Sequence, residues 1–451
     1  AKYEQYAEYQ DSGVEWLGEI PNSWGVTHLK FVASIVGRIG FRGYTVDDIV
    51  DEGQGAIVLS PSNVDNNQFS LEKKSYLSWA KYFESPEIMV EENDILLVKT
   101  GSTFGKSTIV REVGEPMTIN PQMVLIKKSS IDSRFLSYLF NSSLIKAKIE
   151  VSNTGSGMPT MTQENINNFP IPLPATKIDI KIANFLDHET AQIDTLIEKQ
   201  QTLIQLLKEK RQAVISHAVT KGLNPDALMK DSGVEWLGDV PEHWVVGRVG
   251  YYGQVLNGST PSKANLSYWH PKEVAWLSSG EVNQYYIESP TDYISYKALK
   301  ECSVTLLPVG TLVMGMIGQG KTRGTSAVTK IEATINQNLA AVIPNENLYS
   351  NYAHLFFQAA YKELREDARG GNQAALNCEI IRDFKITIPP INEQKAIFIE
   401  VNKISDKFDI LMIKAEQAIQ LMQERRTALI SAAVTGKIDV RGWRAADNKA
   451  S

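Results

Sequence analysis

The sequence predicts an α+β protein made of two pseudo-repeated globular domains, each followed by a long helix, with the two helices pairing as an antiparallel coiled coil. Three observations predict this fold. Two parts of the chain repeat each other, both copies end in a long segment without glycine or proline, and both copies contain short β-type runs separated by turns. The repeat is the most informative of the three, because it fixes the order of all other elements.

An internal repeat organises the chain. The eight residues DSGVEWLG occur at 11–18 and again at 231–238, at an offset of 220. A proline and a tryptophan extend this match in both copies: Pro21, Trp24, Pro241 and Trp244. Near the other end of each copy, residues 203–220 and 418–435 are identical at eleven of eighteen positions, at an offset of 215. This period is far longer than that of solenoid repeats, so the pattern predicts a duplicated unit of one domain plus one helix, and a pseudo-twofold molecule.

Each copy is predicted to end in a long helix. Residues 178–219 and 391–434 contain no glycine or proline and are rich in helix-forming residues, and Gly222 and Gly436 follow as stop signals. At a rise of 1.5 Å per residue each helix would run about 60 Å, which is long for a helix packed only on its own globule.

A heptad spacing of apolar residues along both helices predicts the seam of a coiled coil. The predicted seam residues are Leu186, Ile193, Leu207 and Val214 in the first helix and Val401, Phe408, Met422 and Leu429 in the second. Leu196 and Leu203 are expected between those of the first helix. Antiparallel pairing of the two helices is the favoured arrangement. The alternative is that each helix lies on the surface of its own domain.

The segments before the helices are predicted to form α+β globules. They mix short apolar runs with turn signals and contain one helical stretch each, RFLSYLFNSS and NYAHLFFQAAYKEL. The predicted divisions are an N-terminal segment (1–24), the first domain (25–174), the central helix (175–222), a linker with the repeated segment (223–244), the second domain (245–389), the C-terminal helix (390–436) and a tail (437–451).

The composition is that of a globular protein. With 451 residues, 43% hydrophobic and 22% charged, the chain is long enough for sizeable cores. Only two cysteines are present, Cys302 and Cys378, which excludes a disulfide framework and a Cys-rich zinc site and favours a reducing compartment. No signal-peptide pattern is visible, and no apolar run reaches the roughly 18 residues of a membrane span. We therefore expect a cytoplasmic location.

Candidate catalytic motifs are few. Residues 315–322 (GMIGQGKT) satisfy the GxxxxGK[ST] pattern of a phosphate-binding P-loop. A P-loop must open a helix, however, and the following RGTSAVTKIEATI is rich in β-branched residues, so nucleotide binding is kept only as the less favoured alternative. The six histidines show no paired-ligand spacing, and neither a nucleophile elbow nor the tetrapeptide of amino-methyltransferases occurs. No metal and no catalytic site are expected.

The distribution of charge points to nucleic acid. The net charge of −6 argues against a basic coat over the whole surface, but four windows contain no Asp or Glu: 25–46, 95–111, 243–272 and 302–331. They combine Lys and Arg with Ser, Thr, Asn, Gln and Gly, the mixture that contacts DNA phosphates and base edges. Because two such windows recur in each copy, a DNA-binding face in each domain is favoured over loops that are polar by chance.

The sequence closely resembles the specificity subunit of type I restriction-modification enzymes. The resemblance covers nearly the whole chain, and its most specific pieces are residues 11–24, 231–244, 155–174 (GSGMPTMTQENINNFPIPLP), 210–222 and 425–436. One departure is visible. The second helix starts Pro390-Ile-Asn-Glu-Gln, as in many members of the family, whereas the first copy reads PATKIDI from Pro174. The start of the first helix is therefore expected to differ in position or packing.

The resemblance implies a function. Each domain would be a target-recognition domain that reads one half of a split site in double-stranded DNA, the paired helices would set the spacing, and the chain would not be catalytic. It also implies the partners, namely two methyltransferase subunits that modify adenine and ATP-dependent restriction subunits. S-adenosylmethionine, ATP and magnesium are then expected on those partners, and no cofactor on this chain.

The residues expected to contact DNA lie in the acid-free windows. They are Arg38, Arg42, Lys99, Ser102 and Lys106 in the first domain and Ser262, Lys263, Gln319, Lys321 and Arg323 in the second. Arg323 is the leading base-reader, because a guanidinium group pairs bidentately with guanine. A rival hypothesis is a protein-interaction scaffold, in which the two globules sit on a coiled-coil stalk and have no affinity for DNA.

Overall fold

The structure is a computed structural model of this chain that describes residues 3–38, 40–65, 68–151, 159–318, 320–366 and 375–445. The chain divides into two compact units, one made of residues 1–200 with 417–451 and the other of residues 201–416. Each unit therefore contains one domain, the first half of one long helix and the second half of the other. Along the described ranges, no helix has the length and apolar content needed to cross a membrane.

The first unit is built on two four-stranded sheets. The elements up to the end of the first long helix are β1 (Tyr9–Asp11), β2 (Glu19–Pro21), β3 (Gly25–His28), β4 (Ser34–Gly37), β5 (Ile49–Val50), β6 (Gly55–Leu59), β7 (Val64–Asp65), β8 (Gln68–Phe69), β9 (Tyr76–Ser78), α1 (Trp79–Phe83), β10 (Ile95–Val98), β11 (Ser107–Ile109), β12 (Met117–Ile119), β13 (Met123–Lys127), α2 (Ser133–Asn141), α3 (Ser143–Val151), α4 (Gln163–Asn167), β14 (Pro170–Leu173) and α5 (Ile178–Lys221). The central sheet, in the order β11-β10-β13-β4, is antiparallel. The second sheet has the order β12-β6-β9-β5, with β12 parallel to β6.

The central sheet of the first unit is buried on both faces. Along β10, Ile95 and Leu97 belong to a core shared with α2, α5 and the end of the C-terminal helix, whereas Leu96 and Val98 belong to a core shared with the second sheet. Successive side chains of a strand point to opposite faces, so a strand between two cores must be apolar at every position. The domain is thus a stack of three layers: helices, central sheet and second sheet.

The second unit repeats this arrangement. Its elements are β15 (Met229–Asp231), β16 (Asp239–Pro241), β17 (Val245–Arg248), α6 (Val249–Tyr252), β18 (Gly253–Asn257), β19 (Val274–Leu277), β20 (Tyr286–Ile287), β21 (Asp292–Ile294), α7 (Tyr296–Glu301), β22 (Leu312–Gly315), β23 (Ser326–Thr329), β24 (Thr334–Ile335), β25 (Leu339–Pro344), α8 (Ser350–Ala359), α9 (Tyr361–Glu366), α10 (Cys378–Asp383), β26 (Lys385–Ile388) and α11 (Ile391–Val434). The central sheet here is β18-β25-β22-β23-β20, and a three-stranded sheet, β21-β19-β24, forms the outer layer. Along β22, Leu312 and Met314 lie in the core that contains α8, and Val313 lies in the core on the other face.

The two long helices pair antiparallel. In the first unit, Arg426 of α11 makes two hydrogen bonds to the carboxylate of Asp194 in α5, at 2.9 and 3.3 Å. In the second unit, Arg211 of α5 lies 2.8 Å from Asp409 of α11. As the residue number rises from 194 to 211 in one helix, that of the partner falls from 426 to 409 in the other. This confirms the predicted fold.

The predicted seam is only partly the buried stripe. Leu186, Ile193, Leu207, Val401 and Leu429 are at most 8% exposed. Val214, Phe408 and Met422 are half-buried. The expectation for Leu196 and Leu203 is wrong, because these residues are 49% and 42% exposed. Ile197 packs against the first core in place of Leu196, since residues four apart share a helix face and the buried stripe drifts from a strict seven-residue repeat.

The starts of the two long helices differ, as the sequence predicts. At the offset of 215, the start of α11 corresponds to residue 176, but α5 begins two residues later, after Lys177 in the left-handed region (φ 69°). Different side chains then do the same work. The backbone N–H of Tyr349, just before α8, donates to Oε1 of Gln394 at 2.8 Å. The backbone N–H of Asp132, just before α2, donates to Oδ2 of Asp179, also at 2.8 Å.

The best-preserved pieces of the repeat pack against each other. Gly436, at the end of α11, has φ of 72°, and a Cβ added there would lie 2.5 Å from Pro21 and 3.4 Å from Trp24. In the second unit, a Cβ on Gly222 would lie 3.1 Å from Trp244. The proline-tryptophan segment and the glycine at each helix end are therefore one packing motif, which explains why both survive while the domains between them differ.

Candidate nucleic-acid interface

The acid-free windows of each unit meet at one end of its central sheet. The meeting point in the first unit is the turn between β12 and β13, where Oδ1 of Asn120 accepts the N–H of Gln122 at 3.0 Å. The second unit has the same turn between β24 and β25, where Oδ1 of Asn336 accepts the N–H of Asn338 at 3.0 Å. The residue pairs Ile119-Asn120 and Ile335-Asn336 are thus equivalent in structure as well as in sequence.

In the first unit, this turn holds the loop between β10 and β11, residues 99–106. The N–H of Lys99 donates to the carbonyl of Gln122, and its carbonyl accepts the N–H of Met161, both at 2.9 Å. The hydroxyls of Thr100 and Thr160 lie 2.6 Å apart. We call residues 99–106, 120–122 and 159–161 the first loop cluster. Because backbone hydrogen bonds join its three segments, its polar side chains are displayed on a defined scaffold.

The second unit repeats these bonds around the loop between β22 and β23. The N–H of Met316 donates to Asn338, and its carbonyl accepts the N–H of Leu376, both at 2.9 Å. Residues 257–263 join the same turn, since the hydroxyl of Thr260 donates to the side chain of Gln337. A Cβ on Gly258 would lie 2.1 Å from the carbonyl oxygen of Ile335, so only glycine permits this approach. We call the described residues of 257–263, 316–325 and 336–338 the second loop cluster.

The two loops differ at matched positions. The pair of bonds that closes the first loop, between Val98 and residues 105–106, recurs in the second between Gly315 and residues 324–325. The second loop is therefore two residues longer. Lys99 is matched by Met316, and Lys106 is matched by Thr325. The cations of the second loop lie nearer its tip, so the two clusters present different chemistry.

The structure places the predicted residues of the first domain in different environments. Arg38 is 4% exposed, and its guanidinium donates to the carbonyl of Ile119, to that of Arg42 and to the hydroxyl of Thr118. Burial lowers the pKa of this group. Arg38 thus braces the end of the sheet from inside. Arg42 lies 3.3 Å from Glu87 and has a side chain that is 34% exposed.

The other predicted residues of the first domain belong to the first loop cluster. Ser102 is exposed, and Lys99 and Lys106 are half-buried. Burial lowers the pKa of Lys99, which means that its ammonium group is partly stripped of water without a compensating carboxylate. Among the described residues, neither lysine forms an ion pair. A phosphate or a base acceptor would supply the missing partner.

In the second domain, Ser262, Lys263 and Lys321 are exposed, and Arg323 is half-buried. All four belong to the second loop cluster. Gln319 lies outside the described residues.

The P-loop alternative does not fit the geometry. The motif begins at Gly315, the last residue of β22, and runs into the loop that leads to β23, a strand with all four residues (Ser326–Thr329) buried. A P-loop holds phosphates with the N-terminal amides of the helix that it opens. Without that helix, the loop lacks the group that makes the motif a nucleotide site.

Sequence reasoning missed two residues that shape the second loop cluster. Tyr361 and Arg365 of α9 hydrogen-bond to the backbone of the loop at residues 320, 321 and 323. Both lie some 40 positions further along the chain, in a helix whose sequence resembles an ordinary surface helix, so no local signal indicated them. The echo of Ile119-Asn120 in Ile335-Asn336 was the one signal that could have located the turn at the centre of each cluster.

Comparison with known proteins identifies the family. Residues 50–206 and 241–421, which make up more than half of the chain, match the family described as the type I restriction modification DNA specificity domain. The chain is 31% identical over 185 residues to the EcoR124I/EcoR124II specificity subunit of Escherichia coli, an alignment that spans 40% of this chain and 42% of that subunit. It is 22% identical over 436 residues to the putative MjaX specificity subunit of Methanocaldococcus jannaschii, which spans 94% and 96% of the two chains.

Solved structures share the fold. A chain from a structure of a type I R-M system has a TM-score of 0.70 at 16% identity and covers 93% of this chain and 99% of its own length. The HsdS subunit of Thermoanaerobacter tengcongensis has a TM-score of 0.55 at 15% identity, covering 93% and 98%. Together with the family match, the duplicated domains and the paired helices, these similarities lead to one conclusion: the chain belongs to the type I restriction-modification DNA specificity family and is a specificity subunit, the non-catalytic component that recognises target DNA.

Proposed function

We propose that this subunit recognises a split target in double-stranded DNA, with the first loop cluster reading one half-site and the second loop cluster reading the other. The observation that carries the proposal is the convergence of the acid-free windows on equivalent turns at the end of each central sheet. Hydroxyl, amide and cationic groups lie side by side there, and these groups distinguish base pairs in the major groove and bind phosphates.

The contacts are assigned by exposure and position. Six predicted side chains are placed on phosphates or base edges, because they are exposed or half-buried in the clusters: Lys99, Ser102, Lys106, Ser262, Lys263 and Lys321. Arg323 remains the leading base-reader. Arg38 is left out of the contact set, since its guanidinium is already bonded to three groups inside the domain.

The paired helices would set the spacing between the half-sites. A rigid linkage makes binding of the second half-site effectively intramolecular only when the DNA presents it at the matching distance. We further propose that two methyltransferase subunits dock on the long helices and the adjoining faces of the domains and methylate adenine, and that restriction subunits join this complex. S-adenosylmethionine, ATP and magnesium would act on those partners and not on this chain. Since the target is chromosomal or invading DNA, the complex would work in the cytoplasm.

The test is the methylation map of the source strain, read at single-molecule resolution, with the gene present and deleted. We expect N6-methyladenine to disappear at one split, asymmetric motif on deletion and to return on complementation. An unchanged map, in cells where the methyltransferase genes are expressed, would contradict the proposal. A direct binding assay separates this proposal from the scaffold hypothesis, which predicts no affinity for duplex DNA and therefore no salt-dependent binding.

A further inference from the structure

We propose that Arg365 is a positioning residue that fixes the second reading loop, residues 316–325, and thereby determines which bases the second half-site accepts. The inference rests on the proposed function, because it assigns to that loop a role in reading DNA. Arg365 itself would not touch the DNA. It would act by holding the backbone on which Lys321 and Arg323 stand.

The contacts of Arg365 form a clamp on the loop backbone. Its Nη1 atom lies 3.0 Å from the carbonyl oxygen of Gly320 and 2.8 Å from that of Arg323. The same atom lies 2.9 Å from the hydroxyl of Tyr361, which donates to the carbonyl of Lys321 at 2.9 Å. The guanidinium also lies over the Tyr361 ring, 5.2 Å from its centroid. Helix α9 thus binds three of the four backbone carbonyls of residues 320–323.

Other hydrogen bonds of the loop lie toward its two ends, at Gly315, Met316 and residues 324–325, and the hydroxyl of Thr325 also donates to the carbonyl of Lys321. The loop carbonyls at 320, 321 and 323 lie outside the β-ladder, which ends at Met314–Ser326. The bond to the carbonyl of Arg323 is partly buried and those to Gly320 and Lys321 are exposed, so the clamp acts by orienting the loop backbone and not by satisfying buried carbonyls. Loss of the guanidinium would let the loop rearrange, with the displayed side chains moving together.

The first unit handles the matched position differently. Gly105 and Gly324 close equivalent loops with φ of 79° and 82°. A Cβ on Gly105 would lie 2.9 Å from Ile149 of α3, and one on Gly324 would lie 3.3 Å from Arg365 of α9. An apolar contact thus stands where the second unit has a hydrogen-bonded clamp. Among the described residues, the hydrogen-bonded clamp is found on the loop that is two residues longer.

The experiment uses the full-length chain, in complex with its methyltransferase subunits, and a pool of randomised duplex DNA from which bound sequences are enriched and sequenced. Four variants are compared with the wild type: Arg365→Ala, Arg365→Lys, Tyr361→Phe and, as a control on the same helix, the exposed Lys362→Ala. Thermal melting confirms that each variant is folded. Tyr361→Phe keeps the ring and removes only the hydroxyl. It can therefore still test the clamp if Arg365→Ala fails to fold.

We expect Arg365→Ala to reduce discrimination about tenfold at one or two positions of the second half-site, the order of magnitude that loss of a well-placed base contact costs. The first half-site should stay as in the wild type. Arg365→Lys should fall between Arg365→Ala and the wild type, because an ammonium can donate to the same carbonyls but has a shorter reach and no planar group to lie over the Tyr361 ring. Tyr361→Phe should change the same positions more weakly, and Lys362→Ala none.

Two results would overturn the inference alone. If Arg365→Ala enriches the wild-type motif in both halves, the clamp does not set base choice. If binding titrations show that Arg365→Ala weakens binding to every sequence alike and makes the salt dependence less steep, Arg365 contacts a DNA phosphate directly. If the wild type enriches no motif at all, the proposed function fails and the inference falls with it. These outcomes are distinguishable because the first two concern the motif and the salt dependence of Arg365→Ala, whereas the third concerns the wild type.

Discussion

At the scale of single residues, the surroundings of a cation decide what it does. Arg38 and Lys99 come from neighbouring acid-free windows and look equivalent in the sequence. Arg38 is enclosed by three acceptors of its own domain, whereas Lys99 is half-buried and forms no ion pair within the described part of the chain. An enclosed and satisfied guanidinium stabilises the fold, and an incompletely solvated ammonium gains most from an external anion.

The first prediction concerns Lys99. Replacement by Met, the residue that the second unit carries at the matched position, should fit sterically and remove one charge. We expect affinity for duplex DNA to fall, and the slope of log affinity against log salt to become about 0.9 less steep if Lys99 neutralises one phosphate. Binding titrations at several salt concentrations measure both. Lys73→Met, at an exposed site outside the loop cluster, is the control. A slope equal to that of the wild type would show that Lys99 touches no phosphate.

The second prediction concerns pH. His354 is 2% exposed, between the hydroxyl of Ser326 and the amide of Gln358, and burial lowers its pKa to about 4. In the unfolded chain this histidine binds its proton at about pH 6.5. The contribution of the neutral, buried His354 to stability is therefore fully present above that pH and is lost as the pH falls toward the folded pKa.

Between pH 6.5 and pH 4 we expect the free energy of unfolding of the wild type to fall by about 3 kcal/mol relative to that of His354→Gln, which has no proton to bind at that position. Urea unfolding of both proteins between pH 7 and about pH 4 gives the difference, in which all other titrating groups cancel. Parallel pH profiles for the two proteins would show that the pKa of His354 is the same in the folded protein as in the unfolded chain, contrary to its burial.

At the scale of elements, the long helices are stabilised by what they pack against along each part of their length. The ends of the helices are buried by the domains, with Ile182, Leu186 and Val219 at 0–1% exposure. Toward the middle, burial is limited to a few positions such as Leu207 and Ala415. Heptad arithmetic finds the pairing surface, but the register of the buried stripe depends on domain residues that the helix sequence does not contain.

The third prediction tests the pairing surface with two neighbouring leucines. Leu207 is 8% exposed and Leu206 is 56% exposed. Leu207→Asp should lower the free energy of unfolding by about 3 kcal/mol or more, because it places a charge in an apolar contact, whereas Leu206→Asp should change it by less than about 0.5 kcal/mol. Thermal and urea unfolding measure the change. Equal effects of the two substitutions would mean that the helices do not pair through this face in solution.

At the scale of the whole molecule, the duplication yields two readers with the same scaffold and different chemistry. The equivalent turns at Asn120 and Asn336 are retained, while Lys99 is matched by Met316 and Ile149 by Arg365. Different side chains on a common frame would let one chain recognise an asymmetric target. The frame itself is kept by the packing of Trp24 and Trp244 on the glycines that end the helices.

The fourth prediction concerns spacing. Insertion of seven residues in the middle of both α5 and α11 preserves the heptad and lengthens each helix by about 10 Å. If the helices set the distance between half-sites, the preferred spacer in the DNA should grow by about three base pairs, at about 3.4 Å per pair. Binding to duplexes that differ only in spacer length gives the preference. Insertion in one helix alone should abolish it, and an unchanged optimum after the double insertion would refute the ruler.

The sequence by itself determined the duplication, the two long helices, their antiparallel partnership and the family. These features are encoded locally or by direct comparison of the two copies: glycine and proline end helices, heptads mark a seam, and DSGVEWLG is the same in both halves. The acid-free windows were also visible, because the absence of Asp and Glu from a segment requires no knowledge of contacts.

Only the tertiary structure decided which residues of those windows are enclosed inside the domain and which are available to an external ligand. Arg38 is enclosed because Ile119 and Thr118, eighty positions away, meet it at the end of the sheet. Arg365 clamps a loop forty positions before it for the same reason. Burial and hydrogen bonding are properties of neighbours in space, and β-pairing brings together segments whose distance along the chain carries no information about their contact.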